Sequence, residues 1–205
     1  MKFVLLGPTG SGKGTQADLL NKKFDIPHIK IDNLIREQIR LETIPGKEMQ
    51  RCLENNEPIP DPLITDIVLN YISQYCPSGF TLDGFPATVY QAEKLHEKFT
   101  IVAAIVLNVP EKEIIRRLTG LKVCPSCNRK YQIDHPPKYD NQCDVCNGKL
   151  IFIEDNSKEN IKKKIKDYNH QMKAIISFYE KLGVLHAING NGNYDDVFQE
   201  ILHIA

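Results

Sequence analysis

Residues Gly7 to Thr15 read GPTGSGKGT and follow the apolar run Phe3-Val4-Leu5-Leu6 directly. A short buried strand therefore runs into a glycine-rich loop and then into a helix predicted over Gly14–Phe24. That succession is the layout of a phosphate-binding loop. Glycine-rich backbone lets successive N–H groups converge on an anion. The helix N-terminus adds partial positive charge and Lys13 adds a full one. Gly10, Ser11, Gly12, Lys13, Gly14 and Thr15 are thus the candidate phosphate ligands. The segment departs from the generic G-x4-G-K-[ST] pattern, because Gly14 follows Lys13 and the hydroxyl comes one residue later, at Thr15.

At 205 residues the chain can bury a full core as one compact unit with small insertions. Its 26 basic and 26 acidic residues balance, so no basic field points to nucleic acid or a membrane surface. Lysine carries most of the positive charge; the six arginines stand at 36, 40, 51, 116, 117 and 129. No apolar stretch approaches the roughly 20 residues of a membrane span. The N-terminus offers one lysine and a very short apolar run, which does not read as a signal peptide. A cytoplasmic enzyme is the expectation.

Apolar, β-rich runs recur at Phe3–Leu6, Phe80–Leu82, Ile101–Leu107 and Val184–Ile188, with a short candidate fifth near His28–Ile31. Helical patterns fall between them at Asn33–Leu41, Leu63–Tyr75, Tyr90–Lys98, Glu111–Thr119, Asn160–Leu182 and Tyr194–Leu202. The alternation predicts a parallel sheet wrapped by helices. Two stretches break the rhythm. Residues 30–60 are helical and end in Pro58-Ile59-Pro60-Asp61-Pro62, and residues 121–156 hold four of the six cysteines. Neither has enough apolar residues for an independent core, so both read as insertions.

Cys124-Pro-Ser-Cys127 and Cys143-Asp-Val-Cys146 form CxxC-x15-CxxC. Two such knuckles supply four thiolates to one tetrahedral Zn²⁺. A pair of disulfides is the competing reading, but it suits an oxidising compartment that nothing else in the chain supports. With four cysteines as ligands no position stays open for substrate, so the metal is structural. A zinc ribbon can also bind nucleic acid or protein. The charges around this one are mixed (Arg129, Lys130 and Lys138 against Asp134, Asp140 and Asp144), which speaks against nucleic acid. Cys52 and Cys76 read as small buried hydrophobes.

The phosphate loop, the stretch Thr81-Leu-Asp-Gly-Phe-Pro86 and the two knuckles together resemble the adenylate kinase family in its long, zinc-bearing form. The resemblance runs from Met1 to about Tyr179. It implies an α/β fold: a parallel-sheet P-loop core made of residues 1–29, 61–120 and 157–205. A helical insert at 30–60 would bind the nucleoside monophosphate, and a zinc-bearing lid at 121–156 would cover the triphosphate. The implied reaction moves the γ-phosphoryl of MgATP to AMP or a related monophosphate, in a protein that is a monomer. In such transfers positioning and charge neutralisation do most of the work, and lids exclude water.

By the same resemblance, Gly10 to Thr15 would cradle the ATP phosphates, with Lys13 neutralising their charge. Asp83 matches the aspartate that holds Mg²⁺ through water. Arg36 would grip the acceptor phosphate, and Arg117 would reach the ATP phosphates. Gln91, Gly84 and the backbone at Glu57, Pro58 and Ile59 would line the acceptor base. Tyr131 would pack near the ATP base or serve as lid core.

The chain also departs from the family pattern. Where the family writes DGFPR, Ala87 follows Pro86 here. Leu121-Lys122 replaces basic residues before the first knuckle. Aligning Leu150-Ile151 with the family's apolar pair puts Ile153 and Lys164 at two further arginine positions and Asp155-Asn156 at the acidic pair. Lys30-Ile31-Asp32-Asn33 replaces a Ser-Thr-Gly-Asp segment, so Ile31 stands where the family has a hydroxyl beside the acceptor base. One charge-assisted hydrogen bond is worth about 1.5–3 kcal/mol. An arginine on the transferring phosphoryl can supply roughly 10³–10⁵ in rate. Lys30, Lys122 and Lys164 lie at or beside the vacated positions, and lysine brings the charge without the planar fork. The retained Lys13, Asp83, Arg36, Gln91 and Arg117 favour a working kinase, with Lys122 and Lys164 assisting catalysis. The alternative is a catalytically impaired nucleotide-binding protein of the same family. A zinc-ribbon adaptor with a vestigial loop is a third. Restoring arginine at Ala87 and Leu121 separates the first two.

Overall fold

The computed structural model describes residues 1–127, 129–133, 135–153 and 156–204. Asp134 and Asp155, named above, lie outside the described residues. The chain divides into two compact units. The first is Met1–Gly7, Gly12–Asn108 and His170–Ala205; the second is Pro8–Ser11 and Val109–Asn169.

The first unit holds a parallel sheet of five strands: β1 (Lys2–Leu6), β2 (His28–Lys30), β3 (Phe80–Asp83), β4 (Ala103–Asn108) and a last strand at Leu185–Asn189. The order across the sheet is β2, β3, β1, β4 and then the last strand. Parallel neighbours need crossover connections, and helices supply them. Those helices are α1 (Lys13–Phe24), α2 (Ile31–Arg40), α3 (Ile44–Glu54), α4 (Asp61–Tyr75) and α5 (Val89–Lys98), with a C-terminal helix at Tyr194–Leu202. β1 reads as a continuous apolar run because it lies between β3 and β4 and is covered on both faces. Phe3, Leu5, Ala17, Leu20, Ile26, Ile105 and Ile188 pack into one cluster on the sheet, joined by Val197 and Ile201 of the C-terminal helix.

All five sequence-predicted strands form, including the short fifth at His28–Lys30, where the register pairs Lys30 with Asp83 and Asp83 with Leu5 of β1. Residues 30–60 contain α3, which the sequence pattern did not separate, with Pro45 and Gly46 at its start. The Thr43 hydroxyl accepts from the Gly46 amide at 3.0 Å as an N-cap. Pro45 falls in the first turn, where no intrahelical donor is missed.

In the second unit, α6 (Glu111–Thr119) is followed by β5 (Lys122–Val123), β6 (Lys130–Tyr131) and β7 (Ile151–Phe152), an antiparallel sheet ordered β6-β5-β7. The helix α7 (Lys158–Lys181) comes next, and the sheet strand Leu185–Asn189 is thereby β8 and the C-terminal helix α8. Ile114, Leu118, Leu121, Ile161 and Ile165 form one buried cluster, with Ile153 packed against it. Around the knuckles the buried cluster is only Cys124, Tyr131, Cys143 and Leu150. So small a cluster cannot hold the segment, as its sequence implied. A metal can: bound zinc is worth about 10–16 kcal/mol in finger peptides.

Candidate active site

Parallel strands bring their carboxyl ends to one edge of a sheet, which is where α/β proteins bind ligands. Here that edge carries Gly7 after β1, Lys30 at the end of β2 and Asp83 at the end of β3. The Lys13 ammonium donates to the Gly7 carbonyl at 2.6 Å and stands 3.9 Å from Asp83 Oδ1. Burial pulls the Lys13 pKa below its ordinary value, while the charges of Asp83 and Asp32 oppose that shift. Burial alone would push the Asp83 carboxyl up. The adjoining His28, Lys13 and Lys30 outweigh it and hold Asp83 below the usual carboxylate range.

His28 had no sequence signal and proves central to this edge. Its Nδ1 is 2.6 Å from Asp18 Oδ1, and its Nε2 is 3.7 Å from Asp83 Oδ2. The second distance exceeds hydrogen-bond length, and Nε2 is buried without a hydrogen-bond partner among the described residues.

The expected acceptor-side residues are placed less uniformly. Gln91 is 2% exposed; its Nε2 donates to Asp61 Oδ1 at 2.7 Å and its Oε1 accepts from the Ala87 amide at 2.7 Å. Each end of that amide keeps one unused hydrogen-bonding valence. Asp61, given no site role by the sequence, also accepts from the Thr88 hydroxyl at 2.7 Å. Gly84 takes φ +88°, and a Cβ there would meet Ile31 Cγ2 at 2.8 Å, so Ile31 seals an apolar wall against the turn after β3. Arg36 lies on the exposed side of α2, without a hydrogen bond or ion pair among the described residues. Glu57 pairs with Arg51 at 3.7 Å and its amide donates to the Cys52 carbonyl. Pro58 is exposed and Ile59 half-buried. No hydrogen bond or ion pair joins these last four residues to Lys13 or Asp83 among the described residues.

In the second unit, Arg117 Nη1 reaches the carbonyls of Gly10 and Ser11 at 3.4 and 3.5 Å, while its Nε donates to Glu113 at 2.8 Å. Gly10 adopts φ +88°, and a Cβ there would press on Leu118 Cγ at 2.9 Å, so the loop lies directly on α6. Ser11 Oγ is buried without a hydrogen-bond partner. Glu113 holds Arg116 and Arg117 together; the hydrogen bond from Arg116 leads in bringing its pKa down to about 2. Its spacing from Arg117 (i, i+4 on one helix) was the available sequence signal.

The other expected residues of this unit are engaged locally. Lys122 Nζ donates to Asn141 Oδ1 at 2.9 Å and lies over the Phe152 ring. Lys164 is on the exposed face of α7. Tyr131 belongs to the knuckle cluster: its hydroxyl donates to Cys143 Sγ at 3.3 Å and accepts from the Asp144 amide at 2.7 Å. The ring is buried with Cys124, Cys143 and Leu150.

Cys124, Cys127, Cys143 and Cys146 present sulfurs that all lie within 4.8 Å of one another, with Cys124–Cys146 at 3.3 Å and Cys127–Cys143 at 3.5 Å. A tetrahedron with Zn–S bonds of about 2.3 Å has edges of about 3.8 Å, so the donor set fits zinc. The same distances are far from the roughly 2.05 Å of a disulfide. All six cysteines are free thiols.

The adenylate kinase family matches residues 5–184. An adenylate kinase of Clostridium botulinum (strain Loch Maree / Type A3) is 38% identical over 211 residues, covering all of this chain and 98% of that protein. One from Acetivibrio thermocellus is 39% identical over 210 residues, with 99% and 97% covered. One from Clostridium kluyveri is 38% identical over 206 residues, with 97% and 95% covered. With a full-length match of this kind, a parallel-sheet core carrying a lysine-bearing phosphate loop, and four clustered cysteines, the chain belongs to the adenylate kinase family.

Proposed function

We propose that this chain is a nucleoside monophosphate kinase that moves the γ-phosphoryl of ATP to AMP, giving two ADP. The observation that carries the reading is Lys13, fixed to Gly7 and 3.9 Å from Asp83 at the carboxyl edge of the sheet, in a member of this family. The acceptor phosphate oxygen attacks the γ-phosphorus in line as the bond to the β-phosphate oxygen breaks. No covalent enzyme intermediate is needed. Lys13 and the loop amides of Gly10 to Thr15 bind and orient the donor phosphates. Asp83, ionised and partly exposed, offers the hard oxygen that suits hydrated Mg²⁺. When bound, that ion neutralises charge on the β- and γ-oxygens.

Arg36 takes the acceptor phosphate, and Gln91, Gly84, Ile31 and the backbone at Glu57–Ile59 take its base. Arg117 adds charge at the donor phosphates. Lys164 is assigned there too, and Lys122 serves only by leaving Asn141. Residues 30–60 form the acceptor insert, 121–156 the lid, and the four cysteines hold one structural zinc. Among the described residues no helix is long and apolar enough to cross a membrane. We place the enzyme in the cytoplasm as a monomer acting on free nucleotides.

A phosphoryl-transfer assay with MgATP against AMP, GMP, CMP, UMP and dNMPs tests the reading, with Lys13→Ala as control. Turnover of AMP above that control supports it. ATP binding without turnover of any acceptor would establish the impaired nucleotide-binding protein instead.

A further inference from the structure

The carboxyl edge holds a second lysine that the motif does not include. Lys30 closes β2 in register with Asp83. Its Cε and Nζ each lie 3.7 Å from the point where a Cβ on Gly14 would project, and Asp83 Oδ2 lies 3.7 Å from the same point. The Lys30 ammonium therefore lies against the loop at Gly14, on the side of Asp83 Oδ2. Lys30 forms no side-chain hydrogen bond or ion pair among the described residues. A flexible four-carbon stem brought against the loop at Gly14 with its three donors unspent is arranged for an incoming polyanion.

The other candidates for replacing lost positive charge fare differently. Lys122 is engaged by Asn141 and Phe152. Leu121 and Ile153, at two of the vacated arginine positions, are packed into the α6–α7 cluster. Ala87 is exposed and bears no charge. Lys30 shares the surroundings of Asp83, whose charged form it favours together with Lys13.

We propose that Lys30 is a second phosphate-contacting lysine of this site, sharing the donor triphosphate with Lys13 and supplying the charge that Ala87 does not. The two ammonium groups flank the β- and γ-phosphates, with Asp83 and Asp32 balancing them before nucleotide arrives. The rate contribution of Lys30 rests on the kinase reading above; its phosphate contact does not.

The test compares wild type, Lys30→Met and Lys30→Arg in two measurements. Calorimetric binding of inorganic tripolyphosphate should weaken about tenfold or more in Lys30→Met and return to within about threefold in Lys30→Arg. Melting temperatures should agree, since Lys30 holds no partner. Turnover of MgATP with AMP should fall by about 100-fold in kcat for Lys30→Met, with little change in KM for AMP. Tripolyphosphate binding to Lys30→Met within twofold of wild type, or no binding to wild type, would overturn the proposal. A wild type that turns over no acceptor would overturn the kinase reading, and the binding measurement would still decide Lys30.

Discussion

Asp61 accepts a hydrogen bond from Gln91 Nε2 at 2.7 Å with one carboxylate oxygen and uses the other for Thr88. The first residue of α4 thus fixes both the N-cap and the buried amide of α5. Asp61→Ala leaves two polar groups without their partner, at a cost of about 1–3 kcal/mol. The expected result is a lower urea midpoint and a raised KM for the acceptor, with kcat changed less. Denaturation and steady-state kinetics on one preparation check both, and an unchanged KM would dissociate Gln91 from the acceptor.

Glu113 titrates far below its ordinary 4.5, at about 2, because Arg116 and then Arg117 bind its charged form. A depressed folded-state pKa contributes stability that is present above the unfolded value and lost as pH falls through the folded one. The window here is pH 4.5 down to 2. Melting temperature against pH should fall less steeply across that window in Glu113→Gln than in wild type. Equal slopes would show that the arginine pairs do not differ between folded and unfolded chains.

Leu121 and Ala87 both occupy positions where the family carries arginine, yet their surroundings are opposite. Leu121 is buried against Ile114, Leu118, Ile161 and Ile165. Leu121→Arg would place an uncompensated charge there and destabilise by about 3 kcal/mol. Ala87→Arg, on an exposed backbone, should fold normally and leave turnover within about threefold of wild type, because Lys30 already brings positive charge to the site. Only the Ala87 substitution is therefore a fair trial of the arginine deficit. A rise of about tenfold or more would show that Lys30 does not meet the need.

Tyr131 grips the second knuckle, donating to Cys143 Sγ and accepting from the Asp144 amide. Groups of this kind tune ligand orientation, and their loss costs about 10–100-fold in metal affinity. Tyr131→Phe should bind one zinc per chain with affinity weakened by that factor, measured against a chromogenic chelator. Strong chelation of wild type should lower its melting temperature while loop binding of tripolyphosphate persists.

The sheet and the phosphate loop were legible because their signals are local: an apolar run, a glycine-rich turn and a lysine in fixed succession. The knuckles were legible for the same reason. Asp61 and His28 were not, since each acts on a residue remote in sequence, Asp61 across 30 positions to Gln91 and His28 across the sheet to Asp83. Neither carboxylate nor imidazole announces such a partner by spacing. Tyr131 was ambiguous because an aromatic beside cysteines serves a nucleotide base or a small core equally well until its burial is known. The fate of Leu121 was equally hidden: a leucine in an arginine's place says nothing of whether solvent or a helix lies beside it.

The bond from Lys13 to the Gly7 carbonyl bears on when disorder is given up. A free lysine side chain holds about 2 kcal/mol of rotamer entropy. In this chain it is confined by an oxygen belonging to its own loop. A phosphate arriving there exchanges one partner for another and does not have to immobilise a wandering ammonium. The ordering is completed during folding, and the association step inherits a loop that is already set.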